Sequence, residues 1–172
     1  MLKLLGSILI ITASTGMAAA LYGEIADHVK RLYELRKLFV DISYAAYESM
    51  QPVEILLGCF VRTRDEKIND ICKEIADQLI EKKLGQGDVV WRNVFAAHRK
   101  ELGLSAEEAE VIEGAGSAFF GKSVDENKKH LAVTLERLDF LIGAKQSGQK
   151  EKQRVCGAVS ILGGLMIIIL LI

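Results

Sequence analysis

Apolar residues fall along this chain in two distinct rhythms: unbroken at both ends and periodic in between. The run LLGSILIITASTGMAAALYG, residues 4–23, and the run VCGAVSILGGLMIIILLI, residues 155–172, contain no Asp, Glu, Lys or Arg. A bilayer core about 30 Å thick takes roughly 20 apolar residues as a helix. Each run is therefore expected to be a transmembrane helix. The second would reach about 27 Å at 1.5 Å per residue, and Lys152 and Arg154 can snorkel to the headgroups at its start. Hydroxyls on Thr12, Ser14 and Thr15 can bond backbone carbonyls and are tolerated in lipid.

Between the runs the apolar positions recur with helical spacing. Val29, Leu32, Leu35, Phe39 and Ile42 make one stripe; Ile68, Ile71, Cys72, Ile75, Leu79 and Ile80 make another; Leu131, Leu135, Leu138 and Ile142 make a third. Capping boxes are expected at Thr63-x-x-Glu66, Ser105-x-x-Glu108 and Ser123-x-x-Glu126. Pro52 suits a first helical turn, while Gly85, Gly87 and Gly103 suit helix ends. The expected fold is all-α: a bundle of about six helices over 24–49, 52–61, 65–83, 88–102, 105–120 and 125–154, flanked by an N-terminal and a C-terminal transmembrane helix. The first and last bundle helices are expected to run directly into the spans. The polar stretch 143–153, with two glycines, is the expected hinge.

A cleavable signal peptide is the competing reading of the first run, since Lys3 precedes it and small residues cluster at Ala18, Ala19 and Ala20. One lysine makes a weak basic region, and helical periodicity continues beyond Tyr22, so a retained span is the reading adopted. Small residues recur every four positions in both runs, at Thr12, Gly16 and Ala20 and at Cys156, Ser160 and Gly164. Such stripes let helices pack closely in lipid, although composition alone can also produce them.

All 23 acidic residues and every Lys or Arg except Lys3 lie within the central 24–154 domain. Near-neutrality there gives no nucleic-acid footprint. Basic residues crowd the domain side of both spans, at Lys30, Arg31, Arg36 and Lys37 and at Lys145, Lys150, Lys152 and Arg154. By the positive-inside rule the domain is cytoplasmic and both termini are outside.

Candidate chemistry narrows the function further. Gly116-Ser117-Ala118-Phe119-Phe120-Gly121-Lys122-Ser123 matches the P-loop letters G-x-x-x-x-G-K-S. A P-loop needs a buried strand leading into the glycine turn. Here an acidic capped helix precedes the motif, Phe119 and Phe120 occupy the turn, and Ser123 fits better as an N-cap. The match is read as a decoy, with no cofactor. His98 shares a stripe with Trp91, Val94, Phe95 and Leu102 and fits a core edge, with Trp91 a packing anchor. His28 and His130 lack metal-ligand spacing, and Cys59 and Cys72 form no C-x-x-C. No catalytic or metal-binding residues are expected. The candidate partner surface comprises Glu107, Glu108, Glu110, Lys122, Glu126, Lys128 and Lys129.

Three segments, MLKLLGSILIITAST, GKSVDENKKHL and LGGLMIIILLI, together with Arg36 in LYELRKL, Ile42 and Tyr44, resemble the stage III sporulation protein AB family. The chain departs from that pattern at Ala45, where Gly is usual, and in a linker one residue shorter before Asn127. The resemblance implies likeness to the cytoplasmic domains of type II secretion F platform proteins. It also implies a place in the mother-cell membrane around the forespore. The expected partners are an AA-type ATPase and other channel components, within a homo-oligomer or larger complex. A membrane-tethered sensor or adaptor for a soluble regulator is the alternative.

Overall fold

The computed structural model describes residues 23, 26–46, 53, 63–81, 87–121 and 123–171, the last stretch from 149 by its backbone alone. Two compact units result, one from 1–29 with 143–172 and the other from 30–142. Every regular element among the described residues is an α-helix: α1 (26–46), α2 (Glu66–Glu81), α3 (Gly87–Leu102), α4 (Ala106–Gly114), α5 (Gly116–Phe120) and α6 (Val124–Leu171). Among the residues described with side chains no helix is long and apolar enough to cross a membrane. The expected spans fall elsewhere. Residues 4–22 lie outside the described set, with Thr12, Gly16 and Ala20. In 155–172 the backbone is helical to Leu171, and the side chains of Cys156, Ser160 and Gly164 are outside it. The expected helix 52–61 is likewise outside, apart from the helical, buried Val53.

The unit 30–142 is built on the stripes that periodicity marks. Leu32, Leu35, Phe39 and Ile42 of α1 are buried, as are Ile68, Ile71, Cys72, Ile75 and Leu79 of α2 and Leu131, Leu138 and Ile142 of α6. Ile80 is a correction: it is 73 % exposed. At 100° per residue, position 80 lies about 120° round the helix from Ile68 and leaves the apolar face. Leu135 is only half-buried, although it lies within the angular range of its stripe.

An aromatic cluster holds the centre. Trp91 is fully buried and donates its indole N–H to the Ile112 carbonyl at 2.8 Å. Its ring lies 4.8 Å from Phe95, 5.1 Å from Phe119 and 5.8 Å from Phe39 between centroids, separations at which tilted aromatic pairs attract. This packing explains a second correction. The single helix expected over 105–120 is divided at Ala115 into α4 and α5. Gly114 and Gly116 weaken the helix there, and a Cβ on Gly116 would stand 3.1 Å from Trp91. The break lets the chain cross the indole closely and brings Phe119 onto it.

Polar groups fix the helix ends. Arg31 of α1 donates to the Asp65 carboxylate at 2.7 Å and to the Leu102 carbonyl at 2.8 Å. Lys67 adds a bond to the Glu101 carbonyl at 3.2 Å. The C-terminal carbonyls of α3, which lack helical partners, thus receive two cations where the helix dipole favours them. Gly103 follows with φ 68°. The Gly103 N–H reaches the Lys100 carbonyl and the Leu104 N–H the Arg99 carbonyl, at 3.1 and 3.0 Å, a Schellman closure that glycine makes easily.

Of the three expected capping boxes, Ser105–Glu108 forms in both directions. At the start of α2 Asp65 is the cap instead, accepting from the Lys67 amide at 3.1 Å, while Thr63 bonds the Asp65 carbonyl and Asn69. Ser123 directly precedes α6, and its carbonyl accepts the Asn127 amide at 2.9 Å. Gly87 opens α3 rather than ending a helix; a Cβ there would collide with the Phe120 ring. The expected hinge, 143–153, is uninterrupted helical backbone within α6.

Candidate functional site

The acidic candidates at 107, 108 and 110 divide according to their helical positions. Glu108 is the third residue of α4 and only 1 % exposed, its carboxylate accepting the Ser105 amide at 2.7 Å. It closes the helix end and is not available as partner surface, a correction that follows from the capping box itself. Glu107 and Glu110 project outward and line an open cavity of about 420 Å³ with Val111. Glu136, Arg137, Phe140 and Leu141 of α6 complete its wall.

Helix geometry explains that wall. Leu138 and Ile142 face the core, and position 140 lies about 200° from 138, so Phe140 is 75 % exposed. Val133, one heptad earlier, is 54 % exposed on the same side. The floor is thus apolar, from Val111, Leu141 and Phe140, with three carboxylates and one guanidinium around it. Glu107, Glu110, Glu136 and Arg137 have no ion-pair partner among the described residues. The site is an acid-rimmed apolar groove, which suits a basic and apolar polypeptide surface.

Glu126, Lys128 and Lys129 are exposed in the first turns of α6, while Lys122 lies outside the described residues. Seven residues separate Lys129 from Glu136, about 10 Å of helix, so this charged turn does not join the groove. Periodicity marks Leu131, Leu135, Leu138 and Ile142 on this helix and leaves Glu136, Arg137 and Phe140 off that stripe. The available signal was a large aromatic residue opposite a buried stripe.

Other candidates have structural settings. Residues 116–120 of the P-loop-like match are helix α5, Gly121 is extended, and Gly116 abuts Trp91. This helix-to-helix passage differs from the strand-to-loop cradle that holds phosphate. His98 is clasped, with Nδ1 2.9 Å from Glu101 and Nε2 2.9 Å from Glu74. Hydrogen bonds to Glu101 and Glu74 raise its pKa, favouring an imidazolium that donates from both nitrogens. Burial pushes the Cys72 thiol up to about 12. Among the described residues no three His, Cys, Asp or Glu side chains gather as a metal site.

Arg36 forks onto Asp139, with bonds of 2.5 and 2.9 Å joining α1 to α6. That pairing raises the Arg36 pKa and lowers that of Asp139. On α6, Arg137 and Leu141 lie about 160° to 200° round the axis from Asp139, and Glu136 and Phe140 about 60° and 100° from it.

The family profile for stage III sporulation protein AB matches residues 3–172. The stage III sporulation protein AB of Bacillus subtilis (strain 168) is 20 % identical over 171 residues, covering 99 % of each chain. No solved structure matches. A match running from residue 3 to the final residue takes in the terminal runs and the helical unit alike, and the chain belongs to the stage III sporulation protein AB family.

Proposed function

We propose that this protein is a non-enzymatic, membrane-anchored platform in a secretion-like channel between mother cell and forespore. Its terminal runs hold it in the mother-cell membrane around the forespore, with the helical domain cytoplasmic and both termini outside. A cytosolic secretion-type ATPase of the AA kind docks on that domain, and helical displacement carries the ATPase's work toward the spans. The observation that carries the reading is the open groove: Phe140 exposed beside three carboxylates that have no ion-pair partner among the described residues suits polypeptide binding. The continuous backbone of α6 from Val124 to Leu171 supports the coupling role. The platform role follows the type II secretion F likeness that the family resemblance implies.

Co-purification tests it. The full chain, solubilised in detergent and crosslinked, is expected to retain the AA-type ATPase, and to do so after alkaline carbonate washing of the source membranes. Release of the chain by carbonate, or absence of the ATPase after crosslinking, overturns the proposal.

A further inference from the structure

We infer that the groove between α4 and α6 receives the outer face of α1 from a second copy of this chain, so that copies associate head to tail. This goes beyond the platform reading, by assigning an occupant to the groove.

The chain carries the complement of its own groove. On α1 the residues Lys30, Tyr33, Lys37, Val40 and Tyr44 follow one another at three- and four-residue intervals, opposite the buried Leu32, Leu35 and Phe39. Tyr33 is 46 % exposed, Val40 37 % and Tyr44 67 %, and both lysines are exposed. This is an apolar stripe bearing two cations, with the exposed Asp41 at its edge. The groove presents Glu107, Glu110 and Glu136 around an apolar floor, with Arg137 at one edge. The charges are complementary, both in the majority sign and in the single exception. Such an arrangement selects a partner and steers its approach.

Position agrees with chemistry. The Arg36–Asp139 fork sets the middle of the stripe level with the groove, because Lys37 adjoins Arg36 and Phe140 adjoins Asp139. The two surfaces share no residue. One copy can therefore place its α1 stripe in a neighbour's groove while its own groove stays open to a third copy. A contact between two different surfaces is heterologous, and it closes into a ring or extends as a row according to the rotation per step.

Charge reversal tests this on the detergent-solubilised full chain, with association followed by sedimentation and crosslinking. One variant carries Lys30→Glu with Lys37→Glu, the other Glu110→Lys with Glu136→Lys. All four positions are exposed, so helical circular dichroism should be unchanged. The natural chain is expected to self-associate, and each variant alone to do so at least about tenfold more weakly. An equimolar mixture of the two should recover association, because every junction in an alternating row again pairs opposite charges. A natural chain that remains monomeric overturns the inference, as do variants that associate like the natural chain or a mixture that stays dissociated. If the Glu110→Lys, Glu136→Lys variant sheds the ATPase yet self-associates normally, the groove belongs to the ATPase and the inference fails. Restored pairing in the mixture, with no ATPase bound to any chain, breaks the platform proposal and leaves the self-association standing.

Discussion

Replacing Trp91 tests the packing argument because its two roles can be separated. Trp91→Phe removes the indole N–H and part of the ring. The Ile112 carbonyl keeps the Ala115 amide at 3.2 Å, so no acceptor is orphaned and the lost hydrogen bond costs about 1 kcal/mol. The missing ring portion leaves a void on the order of 40 Å³, adding about 1 kcal/mol at roughly 24 cal/mol per Å³. The expected loss is therefore about 2 kcal/mol for Trp91→Phe, against about 4 kcal/mol for Trp91→Ala, which forfeits the ring contacts too. A domain of this size shifts in Tm by roughly 3 to 6 °C per kcal/mol. Thermal melting of the full chain in detergent, followed by helical circular dichroism, should show a fall of about 6 to 12 °C for Trp91→Phe and about twice that for Trp91→Ala. Equal shifts for the two variants would refute the division between hydrogen bond and packing. A shift below about 3 °C for Trp91→Ala would show that the aromatic cluster does not hold the unit together.

Three further perturbations have distinct readouts. Arg31→Ala strips a cation from the Asp65 carboxylate and the Leu102 carbonyl; urea unfolding should show a loss of about 2 kcal/mol, and Arg31→Lys should recover only part of it because an ammonium cannot fork. The raised pKa of His98 gives a stability contribution complete below the unfolded value and lost as pH rises through the folded one. Melting between pH 5.5 and 8.5 should reveal a decline that His98→Asn removes, worth about 0.5 kcal/mol because the site is partly exposed. A pH response unchanged in that variant would rule out the clasp as its source. Cys72, buried with its thiol pushed up to about 12, should resist iodoacetamide at pH 7.5 until denaturant is added, as peptide mass spectrometry can establish; rapid native labelling would contradict its burial.

Helical stripes were legible because burial in a bundle follows angle round the axis, and spacing encodes angle. Ile80 shows the limit: it continues a list of intervals but not the angle. The division of 105–120 was hidden for a different reason. Gly114 and Gly116 permit a break, but what uses it is Trp91, 25 residues before Gly116 in the chain and 3.1 Å from that glycine's would-be Cβ. At the start of α2, Thr63 and Asp65 could both cap. Thr63 is drawn into bonds with Asn69 and the Asp65 carbonyl, leaving Asp65 to cap the helix.

The candidate surface was half legible, and the boundary falls between neighbouring glutamates. A sequence shows that 107, 108 and 110 are acidic; a capping box shows that 108 belongs to the helix end, leaving 107 and 110 for solvent. What it cannot supply is the second wall, because Glu136, Arg137 and Phe140 follow about thirty residues later on another helix. Phe140 could still have been singled out. A soluble helical face opposite a buried stripe has no internal use for a large aromatic, and placing one there costs hydrophobic burial. The same reasoning applies to Tyr44 on α1, opposite its own buried face. Two such residues on separate helices, one among carboxylates and one in a row with lysines, are the complementary halves of the self-association inferred above.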